Sequence, residues 1–313
     1  MFNPRVERVD GLSGYHAMIV IGDLYVQERW EIRKVSPGEK EIIGRRDFDM
    51  VSGVGAIVAT MYSQLSHQST RLITVMGRDV GAQRIREWNA TQRFDLVPTV
   101  VVERTGRRVK VINPDGTVKC QVTDSSNNLL LSQSMVSANL ENWGEAVCLS
   151  LNMGTNTLQT VIESAEKFSA LYISGSFMPI SNYHLLKKAS IVFLTVSQVE
   201  ILWGKEVVSR DDLSVALTQI AKLGMKTICT LVSTADVALY SGTTVSWYGD
   251  GSLSMEKDLD DFVFGLYIGW LITAVESGMT LSNAVETLIH EGGFYQDRPI
   301  NGLEYSRIMV LPD

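Results

Sequence analysis

The chain contains little cysteine, little proline and no excess of positive charge. Its three cysteines, Cys120, Cys148 and Cys229, lie far apart and form no Cys-x-x-Cys pair. This pattern disfavours a disulfide framework or a zinc site and predicts a reducing compartment such as the cytoplasm. The formal net charge of −7 disfavours nucleic acid as a partner, because phosphate binding requires clustered lysine and arginine.

Long apolar runs are also missing. The longest apolar stretch, residues 262–275, is interrupted by Gly265 and is too short to span a bilayer comfortably. The first sixteen residues are polar and lack the apolar centre of a secretory signal. We therefore expect no membrane association and read the apolar stretch as a buried helix.

The composition is that of a folded protein. The 313 residues are 45% hydrophobic and 20% charged, which allows a large buried core and disfavours disorder. No internal repeat, low-complexity block or proline-rich linker divides the chain. We predict a single domain over residues 1–313.

Short apolar runs alternate with helical patterns along the chain. Buried strands are predicted at 17–21, 72–76, 145–151, 171–173, 189–194 and 226–231. Helices are predicted at 57–65, 156–168, 196–203, 211–223, 260–276 and 281–290, and a hairpin at 237–240 and 244–247. This alternation predicts an α/β fold with three layers, α/β/α, around a mostly parallel central sheet.

A different pattern is seen in the first half. Residues 99–103 and 107–112 flank a Thr-Gly turn, and a second turn follows at 113–116, which predicts paired antiparallel strands. We expect a small antiparallel lid with strands within 24–52 and 98–122. Four basic residues, Arg104, Arg107, Arg108 and Lys110, lie in this region, and we interpret them as a solvated strand face rather than a nucleic-acid strip.

Ligands of parallel α/β folds bind at the carboxyl ends of the strands. The segments that follow the predicted strands are 22–23, 52–55, 77–79, 195–198, 232–236 and 256–260. In this order they resemble the PfkB family of carbohydrate and nucleoside kinases over most of the chain. The order and spacing are specific, whereas each motif alone is weak.

The stretches GDLYVQERW, KVSPGEK, SGVGAIVA and TVMGRDVGAQRI are similar to the heptose-phosphate kinase branch of that family. LTVSQVEILWG (194–204) and TLVSTADVALY (230–240) occupy the positions of its Asn-x-x-Glu and Thr-Leu-Gly motifs. EKDLDDFVFGLYIGWL (256–271) occupies the position of its Thr-Gly-Ala-Gly-Asp-x-Phe signature. The resemblance implies a ribokinase-like fold, a transferase ancestry and, in an active member, ATP and Mg²⁺ as cofactors.

On the substrate side of the expected cleft, the resemblance maps five residues: Asp23, Gln27, Gly53, Gly55 and Ile57. Gln27 stands where the family has a sugar-binding aspartate, and Ile57 where it has a sugar-binding asparagine. The second glycine of the family's pair is also missing, because Val54 replaces it. Sugar binding is therefore expected to be weakened.

On the phosphate side, the resemblance maps seven residues. Asp260 matches the family's general base, which would take the proton of the attacking sugar hydroxyl. Six positions depart from the family's motifs: Thr195, Gln198, Val232, Lys257, Asp258 and Leu259. Thr195 and Gln198 replace a metal-organising pair, and neutral glutamine is a poor ligand for a hard cation, so no metal site is predicted.

The surroundings of Asp260 matter most. Lys257 and Leu259 replace glycines that let backbone amides approach phosphate, and Asp258 and Asp261 add negative charge. Two like charges about 4 Å apart repel by roughly 1 kcal/mol in water and about 4 kcal/mol at an effective dielectric near 20. Two interpretations of Asp260 stay open: a catalytic base, or a helix N-cap without catalytic function.

Three functions follow as hypotheses. The first is a pseudokinase with weak or no phosphotransfer, acting in binding or assembly as a homodimer through the lid or within a larger complex, with no certain cofactor. The alternative is an active ATP-dependent sugar or sugar-phosphate kinase that uses Asp260 as its base. The third is a sensor that holds a small metabolite in the former sugar cleft.

Overall fold

The computed structural model describes residues 18–34, 43–100, 104–115, 117–124, 126–140, 146–150, 153–175, 183–249, 251 and 259–290. Within these residues, the strands are β1 (Met18–Ile21), β2 (Tyr25–Lys34), β3 (Ile43–Ser52), β4 (Thr70–Met76), β5 (Asp95–Val100), β6 (Arg107–Ile112), β7 (Val118–Asp124), β8 (Ala146–Ser150), β9 (Leu171–Ser174), β10 (Ile191–Thr195), β11 (Thr227–Leu231), β12 (Val237–Ser241) and β13 (Thr244–Tyr248). The helices are α1 (Val54–Ser66), α2 (Val80–Asn89), α3 (Gln133–Asn139), α4 (Thr155–Glu163), α5 (Val196–Trp203), α6 (Arg210–Ala221), α7 (Asp261–Glu276) and α8 (Leu281–His290). Short 3-10 turns occupy Ser126–Leu130, Ala165–Lys167 and Tyr183–Lys188.

Nine of the described strands form a large sheet in the order β13-β12-β11-β10-β9-β8-β1-β4-β5. All neighbours from β5 to β11 pair in parallel, and the β12–β13 hairpin adds two antiparallel strands at one edge. Strands β1, β8 and β10 are apolar and buried along their whole length, as expected of strands covered on both faces. The predicted mostly parallel central sheet is confirmed.

Two apolar cores lie on opposite faces of this sheet. Met18 and Val20 of β1 belong to the core that contains α1 and α7, whereas Ile19 and Ile21 belong to the core that contains α4 and α6. This alternation follows from the two-residue period of a strand, which sends successive side chains to opposite faces. The predicted three layers, with helices on both faces, are therefore confirmed.

A second sheet, hereafter the lid sheet, contains four strands in the order β3-β2-β6-β7. The β2–β3 and β6–β7 pairs are antiparallel, and β2 joins β6 in parallel. The prediction that residues 99–103 pair with residues 107–112 was wrong for Thr99 and Val100, and residues 101–103 lie outside the described residues. Strand β5 instead lies parallel to β4 at the edge of the large sheet.

The chain passes from the large sheet to the lid sheet at Thr105, and Asp79 fixes this crossing. One carboxylate oxygen of Asp79 accepts hydrogen bonds from the Ala82 N–H (3.0 Å), which caps α2, and from the Thr105 hydroxyl (2.6 Å). The other accepts the Thr105 N–H at 3.0 Å. The turn at Thr105 therefore changes sheets instead of closing a hairpin.

Helices α1 and α7 pack closely over the centre of the large sheet. A Cβ atom added at Gly269 would lie 2.6 Å from the Met61 Cβ, and one added at Gly265 would lie 2.9 Å from the Ile57 Cβ. These glycines are four residues apart on α7, so they face α1 together. Among the residues described, none of the helices is long and apolar enough to cross a membrane.

Candidate functional site

The end of β1 and the start of α1 form the first half of the candidate site. Asp23 follows β1 and is 4% exposed. Its Oδ1 accepts hydrogen bonds from the Gly55 N–H (3.1 Å) and from the Ser150 hydroxyl (3.3 Å). A Cβ atom at Gly55 would lie 2.8 Å from the Gly22 Cα, and Gly53 has a positive φ of 110°. The two glycines therefore allow the α1 N-terminus to approach β1.

Burial of the Asp23 carboxyl and its proximity to Asp261 raise the pKa of Asp23, whereas the Gly55 N–H and Arg108 act against this shift. Burial dominates because a charged carboxylate loses its hydration. Asp23 is thus a buried acid that connects β1, α1 and β8, and it carries a free-energy cost when ionised.

The start of α7 forms the second half of the site. Asp260 is the N-cap of α7, and its Oδ1 accepts the Phe262 N–H at 2.8 Å. Asp260 is therefore an N-cap, and both a catalytic role and the lack of one stay predictions. Leu259, one residue earlier, is 8% exposed and packs into the core that contains α1 and α7.

Two cations of the lid sheet reach across to α7. The Lys110 ammonium pairs with Asp260 Oδ2, and the Arg108 guanidinium pairs with Asp261 Oδ2 at 2.5 Å. The prediction of a solvated face was wrong for these two residues, because residues two apart on a strand share a face and this face of β6 is turned toward α7. Arg107 directly precedes Arg108 and therefore points to the opposite face of β6, where it is exposed and pairs with Glu28 inside the lid sheet.

Tyr25 completes the contact between the lid sheet and α7. Its hydroxyl donates to Asp261 Oδ2 at 3.1 Å and accepts from the Ser52 hydroxyl at 3.5 Å. The Arg108 guanidinium lies 4.5 Å from the centre of the Tyr25 ring, in cation–π geometry, and also donates to the Thr123 hydroxyl at 3.0 Å. Arg108 is therefore held on three sides.

These contacts set the charge states at the start of α7. Burial alone would raise the pKa of Asp260, but Lys110, the Phe262 N–H and Arg108 outweigh it and lower that pKa. Burial opposes the charge of Arg108, but Tyr25 and Asp261 outweigh it and raise its pKa. Asp260 is consequently a carboxylate already engaged by a cation and an amide, which makes it a weaker base.

The other substrate-side residues are satisfied within the protein. Gln27 on β2 is 6% exposed, and its Nε2 donates to the Met50 sulfur at 3.3 Å. Ile57 is fully buried and packs against Gly265 of α7. Ile57 has no polar group to offer a sugar, and the Gln27 amide nitrogen is engaged by Met50.

The residues mapped to the nucleotide side form local contacts. Thr195 and Gln198 are a capping box at the start of α5, in which Gln198 Oε1 accepts the Thr195 N–H at 2.8 Å. Val232 is buried, and its N–H donates to the Asp236 carbonyl at 2.9 Å within the β11–β12 turn. Because the Gln198 oxygen is already used by its own helix, this pair does not fit a Mg²⁺ site.

Among the residues described, no three His, Cys, Asp or Glu side chains converge as a metal-binding group. Lys257 and Asp258 lie outside the described residues. Of the residues that the resemblance maps, the structure brings five to one end of the large sheet: Asp23, Gly53, Gly55, Ile57 and Asp260.

Four contributors were not predicted as site residues: Tyr25, Ser52, Arg108 and Lys110. The available signal was the spacing of Arg108 and Lys110, two cations separated by one residue on a predicted strand. That spacing places both on one face but does not identify what the face contacts, and Asp260 lies 150 residues further along the chain.

Comparison with solved structures identifies the architecture. A ribokinase from Thermotoga maritima superposes with a TM-score of 0.73 and 15% identity, over 95% of this chain and 96% of that one. A carbohydrate kinase from Agrobacterium tumefaciens gives a TM-score of 0.68 and 17% identity, over 94% and 98% of the two chains. This protein has the ribokinase fold. No family model and no curated protein sequence matches the chain.

A third match to the ribokinase fold is a plant enzyme. The ribokinase of Arabidopsis thaliana, solved with ribose and ATP, gives a TM-score of 0.66 and 15% identity, over 87% of this chain and 89% of that one. Identities this low establish the shared ribokinase fold, whereas function depends on the residues of the site.

Proposed function

We propose that this chain is a single-domain pseudokinase of the sugar-kinase lineage, with weak or no phosphotransfer and a role in binding or assembly. The observation that carries the proposal is the pairing of Asp260 with Lys110 at the start of α7. A general base must keep its basicity and lie within reach of the substrate hydroxyl. Here one Asp260 oxygen is engaged by Lys110 and the other by the Phe262 N–H.

Three further features support the same proposal. The Asp261 carboxylate lies beside the same helix N-terminus and would repel an entering phosphate. Leu259 fills the position of an anion-hole glycine, and Gln198 is used as a helix cap. The nearer resemblance to the heptose-phosphate branch stays a prediction, since the motifs that carry it are also the ones that have changed.

The alternative is an active ATP-dependent sugar or sugar-phosphate kinase with Asp260 as the base. One observation favours it: Asp260 sits at the N-terminus of a sixteen-residue helix and is held as a carboxylate, the form a base requires. In that case the substrate would have to displace Lys110 before proton transfer, and ATP would be the phosphate donor.

Turnover measurements distinguish the pseudokinase proposal from the active-kinase alternative. The purified protein is assayed for ADP release with ATP and Mg²⁺ against a panel of pentoses, hexoses and heptose phosphates, and nucleotide binding is followed by thermal shift. The proposal expects no sugar-dependent ADP release. Sugar-dependent turnover that disappears in Asp260→Asn, but not in Asp211→Asn in the first turn of α6, would establish the alternative.

We also propose that the lid sheet is the surface of self-association. Strand β7 is an edge of this sheet, and its Val118 and Val122 side chains are 49% and 68% exposed. Edge strands with exposed apolar side chains readily pair with another chain. Sedimentation is expected to give a dimer, and Val122→Glu a monomer, whereas a wild-type monomer at all concentrations would contradict this.

A further inference from the structure

The lid sheet and the body of the protein are joined by two ion pairs on a single face of one strand. Lys110 and Arg108 of β6 contact Asp260 and Asp261 at the start of α7. Tyr25 of β2, also a lid residue, adds a hydrogen bond to Asp261. Every one of these contacts crosses from the lid sheet to one end of one helix.

The environment of these pairs makes them stronger than surface ion pairs. The side chains of Arg108 and Lys110 are 9% and 15% exposed, and those of Asp261 and Asp260 are 37% and 33% exposed. Water and salt screen such half-buried charges less than fully exposed ones. The helix N-terminus also favours the two carboxylates, so they hold the two cations against α7.

Breaking the pairs without replacement is unfavourable. Arg108 has little access to water, so loss of Asp261 would leave a buried cation that contacts the Thr123 hydroxyl and the Tyr25 ring and has Asp260 nearby. Among the residues that the structure describes, the other ionisable groups that face this contact are Asp23, which lies near Asp261, and Tyr25 itself. Neither is a cation, so within the described part of the chain Arg108 and Lys110 are the cations that balance the two carboxylates.

We propose that Arg108 and Lys110 form an electrostatic latch that holds the lid sheet closed over the start of α7 and keeps the Asp260 carboxylate occupied in the ligand-free protein. The latch regulates the same site as the proposed function. It rests on the pseudokinase proposal in one respect, which is that the closed form is taken as inactive. A ligand that takes the place of Lys110 on Asp260 Oδ2 would open this ion pair.

Hydrogen exchange of the β6 and β7 amides tests the latch directly. Lys110→Met and Asp260→Asn are each expected to accelerate this exchange about tenfold, an effect between those of exposed and buried ion pairs. Lys110→Arg keeps the charge and is expected to exchange like the wild type. Arg107→Met is the matched control, because Arg107 lies on the same strand but pairs with Glu28 inside the lid sheet.

Salt provides a second test that needs no variant. Raising KCl from 0.1 M to 1 M shortens the Debye length from about 10 Å to about 3 Å. The wild-type lid amides should then exchange faster, while those of Lys110→Met, which keeps the Arg108–Asp261 pair, should accelerate less. Equal exchange in the wild type, Lys110→Met and Asp260→Asn would overturn the latch, and so would an equal acceleration in Arg107→Met.

The latch and the proposed function fail separately. Sugar-dependent ADP release by the wild type would contradict the pseudokinase proposal and leave the exchange result as it stands. Unchanged lid exchange in the variants would remove the latch even if the protein turns over no substrate. If Lys110→Met does not fold, Asp260→Asn and the salt titration of the wild type still decide.

Discussion

The backbone of Gly265 lies so close to Ile57 that a Cβ atom at position 265 would stand 2.9 Å from both the Cβ and the Cγ2 of Ile57. Real side chains rarely approach this closely, so α7 can pack at this distance from α1 only with glycine at 265. The contact lies one turn into α7, directly behind the start of the helix where Asp260 is the N-cap.

Gly265→Ala is therefore expected to destabilise the protein by about 1 to 3 kcal/mol through overpacking, although alanine favours a helix by about 1 kcal/mol over glycine. Urea unfolding followed by circular dichroism measures the loss. Gly81→Ala is the control, because a Cβ at Gly81 in α2 would make only ordinary contacts at 3.4 Å and beyond. A gain of stability in Gly265→Ala would show that the two helices are not held at this distance.

The architecture of the large sheet could be predicted from the sequence because its strands are continuous apolar runs. The pattern at 189–194 predicted β10, and the pattern at 196–203 predicted α5. The hairpin of β12 and β13 was also predicted within one residue at each end. These elements depend on local periodicity and turn residues, which a single sequence contains.

The pairing of Lys110 with Asp260 could not be predicted in this way. The ion pair depends on two arrangements of strands. Strand β6 joins β2 in parallel, and the preceding strand β5 belongs to the large sheet and does not pair with β6. Both events bring together segments distant in sequence, and local patterns do not encode them. The same limit applies to Gln27, whose Met50 partner lies across the β2–β3 pair.

The three cysteines are expected to differ sharply in reactivity. Burial raises the pKa of Cys148 and of Cys229 to about 12, whereas Cys120 is exposed on β7. Since the thiolate is the reactive form, Cys120 alone should react with an aromatic disulfide reagent at pH 8 in the native protein. All three should react in guanidinium chloride. Loss of the fast reaction in Cys120→Ser confirms the assignment, and fast labelling of two thiols would contradict it.

Asn128 is a buried amide whose removal should stabilise the protein. It is 4% exposed, and in the part of the chain that the structure describes neither its Nδ2 nor its Oδ1 has a hydrogen-bond partner. Apolar side chains of Val75, Leu131 and Met153 lie around it. An unpaired buried polar group costs about 1 to 3 kcal/mol, so Asn128→Leu is expected to raise the free energy of unfolding by about 1 kcal/mol or more.

The neighbouring residue supplies a matched control for this change. Asn127 is equally buried, but its Nδ2 donates to the Val75 carbonyl at 3.1 Å. Asn127→Leu breaks that bond and leaves the carbonyl unpaired, so it should lower the melting temperature while Asn128→Leu raises it. A lower melting temperature for both variants would mean that the Asn128 amide has a bound partner in solution.

Asp23→Asn should raise stability at neutral pH, in a pH-dependent way. Burial, with a contribution from Asp261, raises the pKa of Asp23 in the folded state above its ordinary value of about 3.9. The folded wild type therefore binds the proton more tightly than the unfolded chain, and it loses stability as the pH rises from about 3.9 through the raised pKa. Asparagine removes this loss and still offers Oδ1 to the Gly55 N–H and the Ser150 hydroxyl.

Chemical unfolding between pH 4 and pH 8 measures the difference. The advantage of Asp23→Asn should be largest at pH 8 and should fall toward zero as wild-type Asp23 becomes protonated. Asp79→Asn is expected to have the opposite effect and to lower the free energy of unfolding in this pH range. Burial would raise the pKa of Asp79, but hydrogen bonds from Thr105 and Ala82 lower it, so its charged form stabilises the fold above about pH 3.9. An Asp23→Asn variant less stable than the wild type at pH 8 would show that the buried charge is compensated, and Asp23 would then be a structural anion rather than a strained acid.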